Sequence, residues 1–284
     1  MVTLAPSPVR HQSEDGLREQ PTFEELISHS WPAPRIFRVR RGIRCAMWTS
    51  PNQLTVDSQD RLYSIMADLS PRIFGVDFSK YWEVRRRDGL FQRLARYYLF
   101  ADRAGEVVGW ASYQRRNLDG RRCIYFDITA ILPHFHGAGV ITDVESKTVF
   151  RELLLRPWGR TYLMTRTRNP RLYRSFQTAL GRDHVYPAIG RRVPEHVRAI
   201  ALAMASSMGQ AEKLDRDEQK LVETYLPHLP QHYAVRPSSG DETIDRWFDA
   251  SLGPADAFLV VAEATIWWLA AYRLRKLVRK VRRP

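Results

Sequence analysis

Apolar residues recur at helical spacing from Thr55, at Leu62, Ile65, Met66 and Leu69, which predicts a helix ended by Pro71. A second helix is expected over 79–95, through Tyr81, Val84, Leu90 and Leu94, with Gly89 as an imperfection. The period then falls to two. Tyr97–Ala101 and Val107–Gln114 read as strands joined by a turn over 102–106, and Asn117-Leu-Asp-Gly120 turns the chain into a third strand over 122–132. Val140–Leu155 returns to helical spacing and stops near Pro157-Trp-Gly159. A strand follows over Thr161–Arg166, then a helix over Pro170–Leu180 with Leu172, Phe176 and Leu180 on one stripe. Short elements are expected at 24–31 (helix), 43–48 (strand) and 184–189 (strand). Later come helices over 195–208 and 216–225, a buried strand over 257–263 and a basic amphipathic helix over 265–281.

Composition changes this picture little. At 284 residues, 44% hydrophobic and 26% charged, the chain is an ordinary globular sequence with room for a real core. Cys45 and Cys123 show no metal-ligand spacing, and two cysteines make no disulfide framework, which fits a reducing, cytoplasmic setting. His134 and His136 stand alone as a pair, so no metal is expected. The start of the chain lacks the apolar core of a secretory signal and reads as a disordered leader, drawn at residues 1–40. The net charge of +13 falls largely in two clusters, Arg35, Arg38, Arg40, Arg41 and Arg44, and the seven basic residues from Arg273 to Arg283. With 38 arginines to 6 lysines, this is an arginine-biased chain rather than evidence of a nucleic-acid groove.

Candidate chemistry lies in two segments. The strand 122–132 ends at Pro133 and passes through His134-Phe-His-Gly-Ala-Gly-Val140 into a helix. Such a turn aims backbone N–H groups at one point and suits a phosphate, with Gly137 and Gly139 free to take positive φ. Asp143 and Glu145 oppose an anion there, and the loop carries no Arg or Lys of its own. The second segment, Asn169-Pro-Arg-Leu-Tyr-Arg-Ser-Phe176, follows the next strand; Asn before Pro is also ordinary helix-start chemistry.

This order of two helices, a three-strand meander, a Pro-turn-Gly-x-Gly loop, a helix, a strand and a helix begun by Asn resembles the GCN5-related N-acetyltransferase (GNAT) family, most clearly over residues 97–181. The resemblance implies an α/β (α+β) fold with a mainly antiparallel twisted sheet flanked by helices, a core over 41–194 and an accessory helical region over 195–284. It implies acyl transfer from acetyl-CoA or a longer acyl-CoA, or from an acyl carrier protein, to an amine by direct attack. On this reading His136, Gly137, Ala138, Gly139 and Val140 hold the donor pyrophosphate, and Asn169 contacts its pantetheine arm or supports the splay between two strands. The family's pattern there is Gln/Arg, two residues, Gly, one residue, Gly/Ala. His136 and Ile141 depart from it.

Asp127, expected on one strand face with Tyr125 and Thr129, is the candidate base, or else an ion-pair partner for one of the arginines. The family's acid tyrosine is Phe176 here, so Tyr173 is the candidate acid. The alternative is a non-catalytic GNAT-like module that engages an acyl carrier protein, an anionic membrane or nucleic acid through its basic tail, 265–283. That tail reads either as a helix on the inner membrane face or as one packed on the domain.

Overall fold

A computed structural model of the chain describes residues 21–225, 237–268 and 270–271. It opens with α1 (Phe23–Ser28), where Thr22 and Glu25 form a capping box, and β1 (Arg35–Arg38). Residues 21–38, drawn above as leader, are therefore structured; residues 1–20 lie outside the described residues. A tight turn in which Arg41 (φ 57°) and Gly42 (φ 73°) are left-handed leads to β2 (Arg44–Trp48).

Helix α2 (Val56–Phe74) is capped by the Thr55 side chain and runs through Pro71, expected to end it, to a left-handed Gly75. The proline forfeits its own N–H bond to the Ala67 carbonyl, yet the helix continues three residues beyond it to Phe74. The next expected helix breaks where Gly89 takes φ 64°, giving α3 (Ser79–Arg87) and α4 (Leu90–Arg93). The meander follows as β3 (Arg96–Ala101), β4 (Val107–Leu118) and β5 (Arg121–Ile131), with Asp119 (φ 51°) and Gly120 (φ 70°) making the β4–β5 turn. Then come α5 (Val140–Leu154), β6 (Thr161–Thr167), α6 (Pro170–Leu180), β7 (Val185–Tyr186) and α7 (Glu195–Ser207). The helix expected over 216–225 is instead part of a small hairpin, β8 (Leu214–Asp215) and β9 (Lys220–Leu221), whose turn needs Gln219 at φ 51°. Helix α8 (Glu242–Ser251), capped by Asp241, precedes β10 (Ala257–Ala264).

The strands form one sheet in the order β1-β2-β3-β4-β5-β6-β10-β9-β8, with β7 also on β10. All pairs are antiparallel except β5–β6. This is a GNAT-like mixed sheet. The last strand is no appendage: Phe258, Val260 and Ala262 join the core of one face and Leu259 and Val261 that of the other, each 0–1% exposed.

Register sets the faces. Trp110 meets Trp82 of α3, and Tyr97 meets Phe91 of α4, so that face carries α2 to α4, with α7 packed further along. Tyr98 bonds Thr148 of α5 (2.9 Å) and Phe126 meets Phe176 of α6, so the other face carries α5 and α6. Helix α5 is fastened by Glu152, whose fully buried carboxylate accepts from Arg115 (2.7 and 2.9 Å), Arg122 (2.5 Å) and Tyr113 (3.1 Å). Burial pushes this carboxyl up, but the two guanidiniums and the tyrosine hydroxyl outweigh it and hold it below the usual carboxylate value. Glu152→Gln strips the buried charge that the half-exposed Arg115 and the mostly buried Arg122 hold, and urea unfolding should show a loss of about 3 kcal/mol. A loss under about 0.5 kcal/mol would mean that packing alone seats α5.

Candidate active site

The two parallel strands run side by side only from Cys123–Tyr162 to Phe126–Thr165. The Thr165 hydroxyl bonds the Phe126 carbonyl (3.3 Å) at the last rung, and the strands then part. The cause lies in β5. Between the Tyr113–Phe126 and Ala111–Thr129 pairs, β4 spends one residue, Ser112, and β5 spends two, Asp127 and Ile128. The Ser112 hydroxyl holds the bulge by bonding both the N–H and the carbonyl of Ile128 (3.3 Å each). A bulge bends its strand, here at the place where the parallel partner is left. Beyond it, one edge of β5 leads into the Gly-x-Gly loop without a partner strand.

The bulge also reverses one sequence expectation. Asp127 faces α3 beside Gln114, whereas Thr129 pairs with Ala111 and so faces α5. Asp127 and Thr129 therefore do not share a face. The Thr129 hydroxyl is buried and makes no hydrogen bond.

After β5 a single 3-10 turn, Pro133–Phe135, delivers the loop. His136 turns its Nε2 to the Ile131 carbonyl (3.1 Å), so the ring braces the loop on the strand end. Gly137 and Gly139 are left-handed at φ 75° and 73°. Gly139 is the N-cap of α5 and supplies no side-chain cap; the first bond into the helix runs from the Asp143 N–H to the Gly139 carbonyl (3.0 Å). The N–H groups of Val140, Ile141 and Thr142 precede it and point out of the helix end.

The cation missing from the loop comes from elsewhere. The β1–β2 turn lays Arg40 on Gly139 so closely that a Cβ there would meet Arg40 Nη1 at 3.0 Å and Cδ at 3.4 Å. Arg40 has no carboxylate partner among the described residues. The two acids that oppose an anion are both quietened. Asp143 pairs with Lys147 (2.8 Å), and burial pushes the half-buried Glu145 up to about 8.

Asn169 accepts from the Arg171 (2.9 Å) and Leu172 (3.3 Å) N–H groups through Oδ1, the ordinary cap of α6, with Nδ2 outside that cap. Tyr173 does not face the parted strands in a way that frees its hydroxyl. It is fully buried among Trp247 and Phe248, donates to the Pro187 carbonyl (2.8 Å) and accepts from Gln177 (2.8 Å); burial raises it to about 12. The candidate acid is thus corrected to a core tyrosine, and Phe176, packed edge-on to Phe126, fills the family's tyrosine position.

On the α3 face, Asp127 accepts from Arg85 (2.5 Å) and Gln114 (2.6 Å), both on Oδ2. This is the ion-pair alternative for Asp127. Burial lowers the Arg85 guanidinium, yet the Asp127 carboxylate leaves it above its ordinary value. Other arginines crowd round. Arg93 keeps Nε and Nη2 buried without partners, and Arg116, held by Gln114 (2.5 and 2.8 Å), is lowered by burial and by Arg93. Arg166 bonds the neutral Gln210 and Thr224 and lies over the Tyr225 ring (4.9 Å). Arg85 and Arg116 both feel the Asp127 charge, Arg93 lies near Arg116, and Arg166 lies near Arg85. Among the described residues no three His, Cys, Asp or Glu side chains group as a metal site. Sequence reasoning missed Arg40, Thr129 and this cluster. The arginines were visible as charge, but nothing in their spacing assigned them to the loop or the bulge.

No family model matches the sequence, and no curated protein matches it. Among solved structures, the chain is similar to a histone acetyltransferase HPA2-related acetyltransferase of Corynebacterium glutamicum (14% identity, 47% of this chain and 83% of that one, TM-score 0.33). It is likewise similar to the Escherichia coli GNAT family N-acetyltransferase YhbS in complex with CoA (22%, 52% and 71%, TM-score 0.30). Arabidopsis thaliana Naa50 in complex with a bisubstrate analogue is a third (11%, 76% and 97%, TM-score 0.36). Likenesses this distant carry no argument about this chain, whose own strand order and parted parallel pair bear the fold reading.

Two measurements check the site. Glu145 binds its proton more tightly folded than unfolded, so its contribution is greatest below pH 4.5 and is lost as the pH rises towards about 8. Glu145→Gln should match the parent near pH 4.5 and exceed it at pH 8.5 by roughly 1–2 kcal/mol in urea unfolding. Tyr173→Phe should cost about 1 kcal/mol of stability and leave affinity for any donor unchanged. A large loss of affinity with stability intact would restore Tyr173 to the site. In strand order, splay and loop the fold is GNAT-like, divergent at His136, Ile141 and Phe176.

Proposed function

We propose that this chain transfers an acyl group from acyl-coenzyme A, acetyl or longer, to an amine. One observation carries the reading: the parallel strands part beside an uncapped helix end that offers left-handed glycines, free N–H groups and the Arg40 guanidinium. The pyrophosphate lies on the amides from Gly137 to Val140 and on Arg40, a charge-assisted contact. The pantetheine arm, an extended chain with two amides, pairs along the open edge of β5 as an added strand would. The Thr129 hydroxyl and Asn169 Nδ2 are suited to bond it there.

The acceptor approaches from the α3 face. Asp127, paired with Arg85, draws the ammonium towards the thioester carbon and takes its proton through water. The nitrogen attacks the carbonyl and gives its second surplus proton to water, the tetrahedral intermediate collapses with cleavage of the C–S bond, and coenzyme A leaves as thiolate with no α6 tyrosine to protonate it. Arg85 and Arg116 beside Asp127, with Arg93 and Arg166 next to them, favour an acceptor that also bears a negative group. An acyl carrier protein as donor is compatible with the basic surface. A cytoplasmic location follows from the donor.

The committed Tyr173 hydroxyl favours a second reading, a non-catalytic module that binds a thioester carrier. The tail invoked for membrane, carrier or nucleic-acid contact lies largely outside the described residues. Within them, Ile266 and Trp268 pack against the core and Trp267 stays 67% exposed.

Calorimetric titration of the full chain with acetyl-, octanoyl- and palmitoyl-CoA tests the proposal. Saturable binding is expected, lost in Gly139→Glu and at least tenfold weaker in Arg40→Ala. Absence of binding to every thioester would sink it, and binding without turnover of any amine would favour the module.

A further inference from the structure

A cavity of about 290 Å³ lies between α5 and the β1–β3 end of the sheet, away from the parted strands. Its floor is a row in register, Arg35 of β1 beside Met47 of β2 beside Tyr98 of β3. Its roof is the face of α5 given by Val144, Lys147, Thr148 and Arg151, at the spacing of neighbouring helical turns. Arg96 of β3 completes it from below.

The chemistry is one-sided. Four cations line the cavity, Arg35, Arg96, Lys147 and Arg151, and no carboxylate does. Only Lys147 has an acid partner, Asp143 (2.8 Å). Arg96 is the telling member. It is 6% exposed, its Nη1 donates to the Met47 sulfur (3.3 Å), a weak acceptor, and it reaches the neutral Tyr98 hydroxyl, with no carboxylate partner among the described residues. A charge so buried is ordinarily paired with an opposite one. Neither Arg35 nor Arg151 has a carboxylate partner among the described residues. The Tyr98–Thr148 hydroxyl pair (2.9 Å) adds neutral polar groups, and Phe37, Met47 and Val144 add apolar wall.

We infer that this cavity binds a small multivalent oxyanion on a short carbon skeleton, an organic phosphate or a polycarboxylate. The volume suits such a molecule. Arginines grip phosphate or carboxylate in bidentate fashion, and four clustered cations, three of them exposed to solvent, attract such an anion together. The ligand's charge is the counter-ion that Arg96 lacks. The site shares α5 with the donor loop but uses its second and third turns rather than its N-terminus.

The test is calorimetry on the full chain at matched ionic strength, with citrate and phosphoglycolate as probes and acetate as monovalent control. At least one probe should bind saturably while acetate does not. Arg35→Gln/Arg151→Gln, both exposed and remote from the core, should weaken that binding at least tenfold. Arg96→Met should abolish it, and circular dichroism would show whether that variant is folded. Arg40→Ala, which disables the donor loop, should leave it within about twofold. Two results would overturn the inference: no binding of either probe at millimolar concentration, or binding unaffected by the Arg35/Arg151 pair. Neither depends on whether the chain takes acyl-CoA.

Discussion

Most of what this molecule offers chemically hangs on the seating of α5, and that seating rests on Glu152. A carboxylate with no exposed surface, bonded by Arg115, Arg122 and Tyr113, ties the far end of the helix to β4 and β5. The penalty for burying it is offset only because its partners come from two adjacent strands at once. With that end tied, the N-terminal end is carried to the tip of β5, and its middle turns roof the basic cavity. One node therefore positions two faces of one helix, each presenting cationic or N–H groups.

The second constraint is the bulge at Asp127-Ile128. Without the extra residue β5 would continue flat against β6, and Thr129 would share the Asp127 face. With it, the strand bends where the parallel pairing ends, Asp127 joins Arg85 and Gln114, and Thr129 turns to the α5 side. Opening of the cleft and separation of the two candidate groups are thus one geometric event. Two buried polar atoms beside the bulge have no hydrogen-bond partner, the Thr129 hydroxyl and Arg85 Nε, and others of the kind lie elsewhere in the fold, at Trp48, Tyr97 and Gln219.

Elements with strong periodicity were legible. The meander, α5, β6 and α6 follow from period-two and helical spacing together with the Asp119-Gly120 and Asn169-Pro170 signals. The misreadings have physical causes. Residues 216–225 show helical spacing, but two left-handed residues, Gln219 and Glu223, and docking of Lys220 and Leu221 on β10 override it. Pro71 reads as a stop, yet the helix forfeits its N–H bond to the Ala67 carbonyl and runs on to Phe74. At the site, the glycines, the Asn169 cap and the departure at Phe176 could all be read directly. The role of Tyr173 could not, because its hydroxyl partner, Pro187, lies 14 residues on across a loop.

By itself, then, the sequence determined the order of elements, the left-handed loop and its departures at His136, Ile141 and Phe176, since these depend on local spacing and on which residues tolerate positive φ. The tertiary structure alone decided which cation reaches that loop, which face each β5 side chain takes, and that Arg35, Arg96, Lys147 and Arg151 surround one cavity. Those outcomes depend on register and on contacts between residues up to about a hundred positions apart. Arg40 over Gly139 is the clearest case: the loop that lacked a cation in sequence has one in space.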